Sequence, residues 1–235
     1  MTINDLHGKR RKRSESTRRM VVAAMLSAIT AVLVFTPIGM ILLPPPLPAV
    51  TTVHIPVILA ALVEGPVVGM TVGLVFGLCS LIRAWESGMV GLTLFFRNPL
   101  VSVLPRLLIP LTALGIYLLW KKLFRSRSIV SQIGAGVAAA FGTLTNTVGC
   151  LGMILLLYGK DLNELLNGII AAGGADSAYS DRAAAWLVAA VGLPNGIAEM
   201  IVAAILVPVL KAAVDALQRR SGRKTAGFAQ KERSK

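Results

Sequence analysis

The feature that most constrains this chain is the distribution of its charges. Of its 24 Lys and Arg residues, seven fall in residues 1–19, four in 121–127 and eight in 211–235. Long stretches almost free of charge separate these blocks. A helix needs roughly 20 apolar residues to cross a hydrocarbon core of about 30 Å, and several of these stretches meet that length. Only 15% of the residues are charged, where a soluble domain carries about 25%. The chain therefore reads as an all-α integral membrane protein, and a soluble enzyme is excluded.

A net charge of +13 can signal nucleic acid or an anionic membrane surface. Here the basic runs flank apolar segments, as cytoplasmic ends do under the positive-inside rule. Nothing in them resembles an aromatic-interleaved nucleic-acid patch. The expected partner is the lipid bilayer, with no nucleic acid. The apolar run from Met20 continues past Leu43 without a convincing cleavage site, so it reads as a retained span rather than a signal peptide. Cys79 and Cys150 both lie in apolar segments, which points to buried small hydrophobes without a disulfide framework.

Six transmembrane helices are expected. The first runs from Met20 to Leu43, and Pro44-Pro45-Pro46-Leu47-Pro48 then stops any helix. The second, His54 to Val63, is short and ends at the turn Glu64-Gly65-Pro66. The third covers about Val67 to Ile82. The fourth runs from Asn98-Pro99 to Trp120-Lys121-Lys122, the fifth from Val130 to Tyr158, and the sixth from Ala184 to Leu210. An even count puts both termini on one side, and the three basic blocks make that side cytoplasmic. The organisation is then a basic cytoplasmic tail at 1–19, a six-helix membrane domain at 20–215 and a basic, disordered cytoplasmic tail at 216–235. The 159–183 segment is the longest external connection, and reads as either a lid or a simple loop.

Polar side chains inside spans are costly and are functional candidates by default. At 1.5 Å per residue, Arg106 lies about 12 Å below the outer end of the fourth span, Asn146 about 18 Å down the fifth and Asn195 about 16 Å down the sixth. Glu199 sits one turn beyond Asn195. Three spans thus bring Arg, Asn, Asn and Glu to similar depths, as a polar cavity open to the outside would. Structural roles compete with this reading. Arg106 and Glu199 could form an internal ion pair, Asn146 could be interhelical glue, and Asn195 could serve a kink at Pro194. Asn98 could merely end a helix, and His54 could cap one. Small residues recur at Gly65, Gly69, Gly73 and Gly77, and one face carrying them allows close packing of a neighbouring helix. The first span carries Ala24 and Ala28 four apart, with Ala23, Ser27 and Ala31 on an adjacent stripe.

Catalytic patterns are absent. There is no Gly-x-x-x-x-Gly-Lys phosphate loop and no His-Glu-x-x-His, since His7 and His54 are the only histidines. There is also no Gly-x-Ser-x-Gly elbow. No catalytic residue, metal site or cofactor is expected.

The whole pattern resembles the substrate-binding S components of bacterial energy-coupling factor (ECF) transporters. The resemblance rests on the Ala24-x-x-x-Ala28 span, the proline-rich first loop and the run Thr51-Thr52-Val53-His54-Ile55-Pro56-Val57-Ile58. It rests also on Glu64-Gly65-Pro66-Val67-Val68-Gly69 and on Asn98-Pro99-Leu100-Val101-Ser102-Val103-Leu104-Pro105-Arg106, and it covers about residues 18–215. It implies a subunit that binds a vitamin or related micronutrient from outside and docks onto a shared transmembrane coupling subunit carrying two ATPase subunits. It implies that Ala24 and Ala28 form the docking face, and that the first loop, Pro44 to Val53, closes over substrate. The pantothenate-type branch is the most similar, with folate, riboflavin or a cobalamin precursor fitting the same scaffold. The expected substrate contacts are His54, Asn98, Arg106, Asn146, Asn195 and Glu199, with Arg106 on a carboxylate, although Glu199 could instead pair a cationic group. Two other classes remain open. One is a stand-alone secondary transporter with Glu199 as proton carrier, which lacks the expected repeats. The other is a membrane enzyme or assembly factor.

Overall fold

The computed structural model describes residues 3–41, 50–86, 91–124 and 128–233. The Pro44–Pro48 stop and residues 44–49 of the expected closing loop lie outside them. Among the described residues, five helices are long and apolar enough to cross a membrane, and a further apolar helix is shorter.

Helix α1 runs Ile3–Phe35, ending short of the Leu43 expected. The reason is local. Pro37 disfavours helical backbone at Thr36, and the chain leaves α1 through a 3-10 turn at Pro37–Gly39. Two short strands follow, β1 (Met40–Ile41) and β2 (Val50–Thr51), paired antiparallel with Met40 opposite Thr51. Thr52 donates its N–H to the Gly39 carbonyl at 2.9 Å and closes the base of this pair.

Helix α2, Ile55–Glu64, has only ten residues, and nine of them are buried. Up to its last residue, Glu64, it is apolar all round, as suits a helix surrounded by protein. Gly65, at φ +96°, then turns the chain straight into α3, Pro66–Glu86. The glycine ladder is a packing face. A Cβ at Gly69 would lie 2.7 Å from the Ala61 Cβ on α2, at Gly73 2.6 Å from the Arg106 carbonyl oxygen, and at Gly77 2.8 Å from the Val103 Cα. Bare backbone on α3 therefore lets α5 approach at the turn that carries Arg106.

A 3-10 segment, Gly91–Arg97, leads into the short α4, Pro99–Ser102, and then α5, Leu104–Leu123. Helix α6 runs Ser128–Ala171, 44 residues with one non-helical position, Tyr158 (φ −131°, ψ 25°). At 1.5 Å per residue it would be about 65 Å long, twice a hydrocarbon core. The part after Tyr158 corrects the loop expectation for 159–183, since residues 159–171 are helical. Leu162 and Leu166 are fully buried on one face. The helix ends at Gly173 (φ +75°), with the Gly174 N–H on the Ile169 carbonyl, a glycine-terminated cap. The return is pinned by two asparagines. Asn163 accepts from the Ala183 N–H and Asn167 donates to Asp181.

Helix α7 (Ala183–Trp186) passes through a π-helical turn, Leu187–Gly192, into α8, Leu193–Arg233. The wide turn falls just before Pro194, which has no N–H to continue the ladder. The Leu193 N–H bonds instead to the Val188 carbonyl, five residues back. Helix α8 continues through the residues read above as a tail. Two apolar cores result. One lies within the bundle around Val57, Ile58, Val72, Ile109 and Ala139, and the other lies at the end carrying the strand pair, around Val101, Ile154, Leu166 and Leu187.

Candidate functional site

A cavity of about 300 Å³ lies between these two cores. Val34, Val53 and Phe76 of the first core line it, as do Phe96, Leu151 and Val191 packed against the second. Its polar groups come from several elements, with Ser80 and Arg83 of α3 and Thr93 of the Gly91–Arg97 segment at its rim. Helix α5 supplies Arg106, α6 supplies Asn146, Thr147 and Cys150, and α8 supplies Asn195 and Glu199, while Thr51 of β2 completes the wall.

Arg106 is 6% exposed. Its Nη1 donates to the Val101 carbonyl at 2.7 Å and contacts the Cys150 sulfur at 2.8 Å. The Phe76 and Phe96 rings lie 5.2 and 5.0 Å from the guanidinium carbon, within the range of cation–π attraction. These contacts hold the plane and occupy one nitrogen. Nε is buried without a partner. The Nε–Nη2 edge, the geometry that accepts a carboxylate through two parallel hydrogen bonds, has no protein acceptor on its Nε. Neither Arg106 nor Glu199 takes part in an ion pair among the described residues, so the internal salt bridge weighed above is not formed.

Glu199 is used differently. Its Oε1 accepts from the Thr51 N–H at 3.0 Å and from the Thr51 hydroxyl at 2.5 Å. Asn195, one turn away, has a buried Oδ1 with no partner. Asn146 has only a long contact, 3.7 Å, from the Cys150 thiol. An unpaired buried amide oxygen costs about 1–3 kcal/mol, and here that acceptor sits in the cavity wall with an unpaired guanidinium N–H. The wall thus offers the Arg106 cation and two amides, with Arg83 also in the lining, for a small polar molecule with an anionic group.

The six expected contacts divide into two groups. Arg106, Asn146, Asn195 and Glu199 meet at this cavity. Asn98 and His54 are not in its lining. Asn98 caps α4 by accepting the Leu100 N–H and donates its amide to the Tyr158 hydroxyl at 3.0 Å. His54 stands just before α2, 1% exposed, with both ring nitrogens unpartnered. Sequence reasoning missed Thr51, Cys150, Phe76 and Phe96. Thr51 stood within the quoted Thr-Thr-Val-His run but was not singled out, and the other three are apolar-looking residues in apolar company.

Ala24 and Ala28 lie on the exposed side of α1, whereas Ala23, Leu26 and Ala31 pack inward. Arg18 of the same helix reaches Glu64 at the end of α2 at 3.0 Å. At the opposite end of the bundle from the strand pair, the Tyr117 hydroxyl pairs with Ser131 at 2.8 Å, and Trp120 Nε1 donates to the Val130 carbonyl.

The family described as ECF transporter, substrate-specific component, matches residues 18–211. The chain is 26% identical over 225 residues to the pantothenic acid transporter PanT of Lactococcus lactis subsp. cremoris, covering 89% of this chain and all of that protein. It is 28% identical over 196 residues to the pantothenate transporter PanT of Leuconostoc mesenteroides subsp. mesenteroides, covering 76% of this chain and 92% of that one. Proteins of this kind are transporters rather than enzymes, and the apolar helices make this one a multi-pass protein of the cell membrane. The chain belongs to the substrate-specific components of ECF transporters.

Proposed function

We propose that this protein binds pantothenate from the outer face of the membrane and delivers it for ATP-driven import by an ECF module. The observation that carries the reading is the Arg106 guanidinium, set over two phenylalanine rings with its Nε unpartnered. A carboxylate is the group that such an edge selects. Asn146, Asn195 and Glu199 supply hydrogen-bonding groups for the rest of the molecule. His54 and Asn98 support the site from behind its lining. The names of the two relatives support the same choice. At about 300 Å³, the cavity lies at the small end of the range for small-molecule pockets, about 300–1,000 Å³. That size favours a compact, flexible acid over folate, riboflavin or a cobalamin precursor.

In this reading α2 completes six membrane-embedded helices, although it is shorter than a full span. The basic blocks favour a cytoplasmic position for both termini, and in this reading the strand pair and the cavity mouth face outward. The exposed Ala24 and Ala28 face of α1 is the docking surface for the shared coupling subunit, whose two ATPase subunits supply the energy. No phosphate-binding loop is then needed in this chain.

The test is a thermal-shift screen of the detergent-purified protein against pantothenate, folate, riboflavin and a cobalamin precursor. Binding adds about 2.7 kcal/mol at a hundredfold excess over Kd, so pantothenate should raise the Tm clearly while the others do not. A shift with another vitamin and none with pantothenate would overturn the substrate. Replacing Ala24 and Ala28 by leucine should spare binding and block uptake in cells. Uptake that survives this change, or that follows a proton gradient without ATP, would favour a secondary transporter with Glu199 as proton carrier.

A further inference from the structure

The hydrogen bonds of Glu199 bear on its role. A carboxylate that served only the ligand would keep its oxygens free toward the cavity. Here Oε1 takes both donors of Thr51, a residue 148 positions earlier in the chain. Thr51 belongs to β2, which pairs with β1 at Met40 and Ile41, and Thr52 binds the Gly39 carbonyl. Val53, the next residue, is buried in the bundle core and also lines the cavity. The stretch 51–53 is therefore one wall of the cavity, and its side-chain tie to α8 runs through Glu199. Both hydrogen bonds end on one oxygen of one side chain, so removing that acceptor or the Thr51 hydroxyl loosens the tie between this wall and α8.

We infer that Glu199 is a positioning residue that acts through Thr51, latching β2 against α8 and thereby controlling access to the cavity. The inference rests on the reading of this cavity as the ligand site, but its test needs no ligand. Cys150 lies in the cavity wall and is 5% exposed, and among the cysteines only Cys79 would compete. In a Cys79→Ser background, the rate of Cys150 modification by a small neutral thiol reagent, methyl methanethiosulfonate, reports how often the wall opens.

Thr51→Val and Glu199→Met, which keep the shape and remove the donor hydroxyl or the acceptor, should each raise that rate roughly fivefold in ligand-free protein, the factor that corresponds to about 1 kcal/mol for a neutral hydrogen bond. The double variant should be no faster than either single, because the two residues form one latch. Thr51→Ser, which keeps the hydroxyl, should return the wild-type rate, and this would separate a latch from a general loosening of the fold. Unchanged rates in the single variants, rates that multiply in the double, or no modification in any variant would overturn the latch. The substrate reading is tested separately in the same assay. Failure of pantothenate to slow modification of the wild-type latch would remove pantothenate while leaving the latch result in place.

Discussion

Two buried cations lie in the same helical bundle, and their surroundings differ. Lys211 of α8 is 7% exposed, and its Nζ meets Asp215 at 2.7 Å, one turn on, and lies 5.6 Å from the Tyr117 ring. Arg106 is equally buried at 6%, yet it has two ring faces, a carbonyl and a sulfur but no carboxylate. Burying a charge without a partner costs several kcal/mol, so a fully answered cation reads as structure. A partly answered one, beside a cavity, reads as a site. Burial by itself does not separate the two cases. An account of each donor does.

The sharpest way to break this contrast is to remove each cation. Arg106→Ala should weaken pantothenate binding by a hundredfold or more, about 3 kcal/mol, because a desolvated charged contact is lost. Lys211→Met should leave the Kd unchanged by calorimetry. Equal losses from both variants would erase the distinction. A second test addresses how Arg106 is held. Gly73→Val should force α5 away from α3 and cost about 1–3 kcal/mol through overpacking, lowering both Tm and affinity. Gly115→Val is the control, because a Cβ there meets nothing within 4 Å, and it should change neither. Next, Phe96→Leu removes one of the two rings, and affinity should fall about three- to tenfold, the usual size of one cation–π contact. The smallest effect belongs to the satisfied cation. Asp215 is partly exposed, so Asp215→Asn should cost only about 1 kcal/mol, read as a slightly lower Tm with unchanged ligand affinity.

Much of this was legible in the sequence, for identifiable reasons. Long uncharged stretches fix where helices can cross, and Arg106, Asn146, Asn195 and Glu199 stand out because polar groups there need a purpose. Their convergence followed from counting residues along each span. Other features were hidden by their chemistry. Phe76, Phe96 and Cys150 look like lipid-facing or core residues until their neighbours are known. Asn98 and His54 carried the same polar signal as the true lining, yet Asn98 is consumed by a helix cap and His54 is sealed beneath the wall. The helical stretch after Tyr158 was available to a closer reading. Leu162, Leu165, Leu166, Ile169 and Ile170 recur at three- and four-residue steps, although the charges at Lys160, Asp161 and Glu164 made the segment look like a loop. The π-helical turn before Pro194 left only the proline as a trace.

The glycine ladder carries a consequence for how such a scaffold changes its diet. Gly73 meets the α5 backbone at Arg106, and Gly77 meets the backbone of Ser102 and Val103 where α4 passes into α5, so the gap between Phe76 on α3 and Arg106 on α5 is set by atoms that no ligand touches. A single added methyl at either position would act as a shim and widen the slot, with every lining side chain kept. Selection for a bulkier nutrient can therefore begin outside the binding site, in the thickness of a helix contact.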